Sequence, residues 1–181
     1  MSIVLVDRKG PCSMQFPDLA AVSADPDLVR CAQQLEAVLG GREWLRRSDI
    51  SPRLFKWMLG RIFMVEVLKA SSDYRFRLFG SKMVQVYGED LTGRKLSEVR
   101  SASFEEALRA DFDLVVATRT PHFQRGTLLW PDREFVGVER LLTPLSDADG
   151  EVSAILGAVA YHANLQFIQL PKPSAAQYRK V

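Results

Sequence analysis

The sequence is short of the residues that mark several protein classes. Its 181 residues include two cysteines, Cys12 and Cys31. Two thiols build neither a disulfide framework nor a four-ligand zinc site. Only two histidines occur, His122 and His162, and neither stands in a His/carboxylate group at metal-ligand spacing. No apolar run approaches the roughly 20 residues of a membrane span. The apolar stretch at residues 3–6 is followed by Asp7, Arg8 and Lys9, the reverse of a secretory order. The expected location is therefore the cytoplasm, with both thiols reduced. Net charge of one sign is also scarce: the chain carries +2 at pH 7, which argues against an electrostatic nucleic-acid binder. There is no G-x-S-x-G, P-loop, G-x-G-x-x-G or H-E-x-x-H.

What is present is ordinary for a globular protein, with 47% hydrophobic and 25% charged residues. The length fits one domain with extensions. Charge is uneven along it. Residues 1–61 carry nine basic and seven acidic groups, 62–151 twelve and fifteen, and 152–181 three and none. The middle is mildly acidic and the ends basic. Lys172, Arg179 and Lys180 read as a solvated tail.

The chain divides into a tail at residues 1–24, a helical lead-in at 25–60, a sheet-and-helix domain at 61–165 and a second tail at 166–181. Asp25, Pro26 and Asp27 open a helix, with proline at its start and acids in its first turn. Leu28, Cys31, Leu35 and Leu39 recur at three- and four-residue steps, and Gly40-Gly41 stops them. Ser51-Pro52 opens a second, shorter helix. Residues 62–68 and 74–79 read as a hairpin, with Tyr74, Phe76 and Leu78 on one face and Arg75, Arg77 and Phe79 on the other. Met83, Val84 and Tyr87 share a short helix, and residues 96–99 a helical turn. Ser103 with Glu106 reads as a capping box. The helix it opens carries Phe104, Leu108, Phe112 and Val115 and ends near Thr118. Its acids, Glu105, Glu106, Asp111 and Asp113, read as the solvated face. Strands follow at 121–130, 135–145 and 152–161. Pro144 places the end of the second outside a ladder or at an edge. Asp147 to Gly150 makes a tight turn. The last strand is apolar on both faces and so central.

The order is therefore β-β, short helices, a long helix, β-β-β, an α+β arrangement with five antiparallel strands and the helices between the second and third. The segments LRRSDISPRLFKWMLGRIFMVEV at 45–67, YRFRLFGSKMVQVYGEDLTGRKLSEV at 74–99 and ERLLTPLSDADGEVSAILGAVAY at 139–161 resemble the bacterial stand-alone PAS proteins of the PAS_5 type. The likeness covers roughly residues 25–165. Leu59-Gly60 departs from it, standing where those proteins often have Leu-Pro. The resemblance implies a sensory or interaction module that holds a ligand between sheet and helices and pairs through flanking helices. It names no cofactor. A photoactive flavin needs a cysteine after the second strand, and none follows Cys31. A haem of the usual PAS kind needs an axial histidine on the long helix, and residues 103–118 hold none.

Candidate site residues are polar or aromatic groups on the sheet and helices. Arg77 lies among apolar neighbours. Glu139 and Arg140 are adjacent and so point to opposite faces, which buries at least one of them. The plain reading pairs Arg77 or Arg140 with Glu139 or Asp49. The sharper one has an arginine fork pin the carboxylate or phosphate of a small ligand. Tyr87, Phe112 and Trp130 are candidate lining residues or plain core. The Leu28, Leu35 and Leu39 face either pairs with a second copy or covers its own sheet. About 20 residues follow the last strand, so the expected output is another chain. Two alternatives stand beside this reading: an enzyme acting on a small organic acid through Arg77 and Arg140, and nucleic-acid binding through Arg42, Arg46, Arg47, Arg53 and Arg61.

Overall fold

The computed structural model describes residues 14–131, 133 and 135–163. The terminal tail from 164, the run at 3–6 and Cys12 lie outside them. Five antiparallel strands form one sheet: β1 (Ile62–Leu68), β2 (Asp73–Phe79), β3 (His122–Thr127), β4 (Gly137–Ser146) and β5 (Val152–His162). Their order is β2-β1-β5-β4-β3, so β5 is central, as its two apolar faces require.

Among the described residues four α-helices flank the sheet: α1 (Leu19–Val22), α2 (Pro26–Leu39), α3 (Ser81–Tyr87) and α4 (Ala102–Thr118). The start of α2 is fixed by the Asp25 side chain, which accepts from the amides of Asp27 and Leu28 at 2.9 and 3.0 Å. Gly40 closes it in the left-handed region at φ 56°. The cap of α4 is Ser101 and not Ser103: its Oγ accepts from Phe104 N–H and donates to the Leu129 carbonyl at 2.9 Å. That bond to the loop after β3 fixes the helix two residues earlier than the capping-box spacing.

Alternation along the strands divides the core in two. On the inner face Phe63, Val65, Leu142, Ile155 and Val159 meet α3 and α4. Gly157 leaves room there for Phe63, whose ring stands 2.1 Å from where a Cβ would be. On the outer face Ile62, Leu141, Leu156 and Ala158 meet the lead-in. Leu28, Leu35 and Leu39 are buried in this outer layer. The face offered above for a second copy is thus occupied by the chain's own sheet. Residues 14–24 are packed as well, with Met14, Phe16, Leu19 and Val22 buried beside α2.

Two strand expectations change. The β1–β2 ladder pairs Met64 with Leu78 and Val65 with Phe76, leaving Arg77 as an extra residue. This bulge turns Phe79 inward and Leu78 outward, and Arg77 is exposed. β4 lies between β5 and β3, so Pro144 is not on an edge strand. The β3 ladder ends at the His122–Leu142 pair, so Pro144 has no β3 partner. Its chain continues to Ser146, whose amide bonds the Leu45 carbonyl at 2.8 Å.

Candidate functional site

Polar groups collect where β3 and β4 meet α4. Arg140 faces inward, and its Nη2 contacts Asp111 Oδ2 at 3.2 Å and donates to Gln124 Oε1. Gln124 stands opposite Arg140 in the ladder. His122 Nε2 lies 4.0 Å from the other Asp111 oxygen. Asp111 is therefore no part of a solvated face. It sits seven residues after Phe104 and three after Leu108, on the buried stripe of α4. Asp113, two residues on, is exposed and accepts from the Tyr74 hydroxyl at 2.5 Å.

Burial raises the Asp111 carboxyl above its ordinary range, against the pull of Arg140 and His122. Burial also lowers His122 below 6.5, opposed by Asp111 and aided by Arg140. The unfolded imidazole takes up its proton near 6.5 and the folded one only at lower pH. Between those points the unfolded state binds more protons, so His122 makes the fold lose stability as pH falls through that window. The His122→Gln variant is expected to lose less stability than wild type between pH 7 and pH 5. Denaturant titrations at both values test this, and equal losses in the two proteins would reject it.

Glu139, the neighbour of Arg140, faces the outer layer and is fully buried. Its Oε2 accepts from Ser23 Oγ at 2.8 Å, and both its oxygens lie 3.2 Å from the Ala24 amide. Arg125 Nε stands 3.3 Å from Oε1 and His162 Nε2 3.4 Å from Oε2. The expected opposite orientation of Glu139 and Arg140 holds, but the suggested pairs do not. Glu139 takes Arg125, Arg140 takes Asp111, and Asp49 takes Arg42 at 2.8 Å. Arg77 reaches none of these groups from the bulge on β2.

A cleft of about 370 Å³ opens nearby, lined by Tyr87, Arg100, Ser101, Trp130, Pro131 and Arg133. Three separate pieces of chain build it: the end of α3, the cap of α4 and the loop after β3. Tyr87 and Trp130 meet edge to face at 5.0 Å, with Phe104 against both. Arg100 reaches Glu89 at 3.3 Å, and Arg133 Nε donates to the Val86 carbonyl at 3.2 Å. Behind Tyr87 lies Tyr161, with ring centroids 6.5 Å apart. Burial pushes the Tyr87 phenol up to about 12 and raises Tyr161 further, while the Arg140 charge lowers both. Arg140 Nε is buried without a well-formed hydrogen bond.

The structure thus places Tyr87 and Trp130 together in the cleft, while Arg140 is not part of its lining and contacts Asp111 and Gln124. Phe112 is fully buried in the centre of the inner core, away from the cleft lining. Arg100, Ser101 and Arg133 were missed. Their signals were the polar pair preceding α4 and the Pro-Asp-Arg turn, and neither is distinctive alone. Cys31 is buried, and burial pushes its thiol up to about 12, so it is an inert part of the outer core. Among the described residues there is no group of three or more metal-ligating side chains, and no helix is long and apolar enough to cross a membrane.

Solved structures similar to the chain include the PAS domain of BvgS from Bordetella pertussis. It is 18% identical with a TM-score of 0.48, covering 60% of this chain and 83% of that one. A sensory box sensor histidine kinase from Vibrio cholerae is 13% identical with a TM-score of 0.46, covering 62% and 91%. The PAS domain of the histidine kinase ThkA is 16% identical with a TM-score of 0.42, covering 55% and 95%. No curated protein matches. The PAS-domain family PAS_5 matches residues 27–160, which include all of α2 but its first residue, every fully buried member of the inner core and all but the last two residues of the sheet. By that match the chain belongs to the PAS_5 family of PAS domains.

Proposed function

We propose that the chain is a PAS sensory module whose input is a small organic anion held in the Tyr87–Trp130 cleft. The observation that carries this reading is the composition of the cleft: an aromatic floor flanked by the guanidinium groups of Arg100 and Arg133. Its volume of about 370 Å³ is that of a small-ligand site. An apolar body rests against Trp130, and its carboxylate or phosphate meets the planar forks. Arg140 lies outside the lining and is paired with Asp111, and its charge acts on the Tyr87 phenol. The membership in a PAS family and the absence of known catalytic motifs support a sensory role over a catalytic one.

An enzyme acting on an organic acid has less behind it. It needs an activated nucleophile or base beside the cleft. Of the two hydroxyl-bearing residues lining the cleft, Ser101 is committed to capping α4 and to the Leu129 carbonyl, and burial pushes the Tyr87 phenol up to about 12.

Native mass spectrometry of the full chain, purified from its own source, tests the proposal. A single small molecule should accompany the wild type. Trp130→Ala should lose it while remaining folded by circular dichroism. A folded wild type that carries nothing argues against a retained small ligand and in favour of protein docking.

A further inference from the structure

Arginines across the fold are held in ion pairs: Arg61 with Asp25, Arg94 with Glu89, Arg109 with Asp73 and Arg140 with Asp111. Arg75, Arg77 and Lys95 differ. Among the described residues none of the three makes an ion pair. They gather on the outward side of β2. Phe76 and Val65 pair across the ladder and both lie in the inner core, so the next pair, Arg75 and Glu66, faces outward. Lys95 bridges to Arg75 on its other side and joins the same row. The neighbouring outward row is Met64 and Leu78. Arg77 is the extra residue between the rows, turned out by the bulge. Met64 packs against the outer core, but Leu78 belongs to neither core and is 43% exposed. The surface is thus an exposed leucine with three cations beside it and one half-buried acid, Glu66.

The backbone beside this surface is closed. The Phe76 amide donates to the Arg94 carbonyl at 2.9 Å, and the Phe76 carbonyl accepts from the Gly93 amide at 2.7 Å. The Tyr74 amide donates to Asp73 Oδ1 at 2.8 Å. A partner therefore cannot lengthen the sheet at these residues, and side chains alone are on offer. A second copy of the chain fits poorly. A two-fold contact sets the same patch against itself, so Arg75 and Arg77 would meet their own charge. A phosphate backbone would gain nothing from Leu78 and would be repelled by Glu66.

We propose that the outward side of β2 docks an acidic segment of a partner protein. An apolar side chain of that segment covers Leu78, and its carboxylates meet Arg75, Arg77 and Lys95. The planar forks of two arginines suit carboxylates, and Leu78 gains by losing its water. None of these residues lines the Tyr87–Trp130 cleft, so the surface stands whether or not the cleft holds a ligand.

Fluorescence anisotropy with the full chain tests this, using a labelled Glu-rich peptide that carries a central pair of leucines. The peptide should bind wild type, and Arg75→Glu with Arg77→Glu should weaken it about tenfold or more. Arg53→Glu with Lys56→Glu makes the same change of net charge at exposed residues of the lead-in and should leave binding within about twofold. Leu78→Ser should weaken that peptide and leave unchanged a version with serines in place of the leucines. Circular dichroism checks that each variant is folded. Equal losses in the two charge-reversal pairs would reduce the effect to net charge and overturn the proposal. So would no binding at all, tighter binding of a single-stranded oligonucleotide of equal charge, or sedimentation showing a dimer that Leu78→Ser splits.

Discussion

Replacing Arg140 by alanine should lower the stability of the fold by about 3–5 kcal/mol, the usual consequence of breaking a buried ion pair from one side. Asp111 would be left in a site where its side chain is 9% exposed, with His122 as the nearest remaining base. Its carboxyl, already raised by burial, would rise further once the guanidinium is gone. The sign follows directly. A carboxylate that is costly to keep ionised is relieved by protonation, so Arg140→Ala should recover part of its loss as pH falls toward the folded pKa of Asp111. Removing both charges tells a different story. Arg140→Met with Asp111→Leu discards the attraction together with both desolvation costs, and it should lie closer to wild type than Arg140→Ala. Urea titrations of the two single variants and the double variant close the cycle. A single-variant loss below about 1 kcal/mol would mean that the pair behaves as a surface contact.

Phe112→Ala should cost a similar amount, about 3–5 kcal/mol, for an unrelated reason. The ring is fully buried, 5.0 Å edge-on from Tyr74 and 6.1 Å from Phe63. Its neighbours come from β1, β2 and α4, so none can close the gap without moving a whole element. The loss is both transfer free energy and the unfilled cavity. Leu114, two residues along α4, is 43% exposed, and its replacement by alanine is the control, with an expected change within about 0.5 kcal/mol. Equal effects at the two positions would show that the inner face of α4 is loosely packed. Chemical denaturation midpoints decide it.

The features readable from sequence were those written locally. The Asp25-Pro26 start and Gly40 stop of α2 are each contained in a few residues, and the structure reproduces both. The central place of β5 followed from apolar residues on its two faces. The antiparallel order and the PAS resemblance followed from the succession of such local signals. What could not be read came from contacts between distant segments. The bulge at Arg77 depends on how β2 meets β1, and it reversed the alternation for Leu78 and Phe79. That Glu139 or Arg140 is buried follows from their adjacency on a strand, but the hydroxyl partner of Glu139, Ser23, is 116 residues away in the chain. At Asp111 spacing outranks side-chain chemistry: its distance from Phe104 and Leu108 puts it on the buried stripe of α4, where Arg140 supplies the partner that a buried carboxylate needs.

The cleft was half legible for the same reason. Tyr87 and Trp130 stood out as aromatics, while Arg100 and Arg133 gained meaning only when three chain segments met. The central claim is that this cleft admits a small organic anion. Native mass spectrometry of the chain from its own source tests it most directly. The account predicts one bound molecule of low mass, identified after release as a carboxylate or phosphate, and absent from the folded Trp130→Ala variant. A wild-type chain of bare mass, or a bound molecule that persists in that variant, would contradict it.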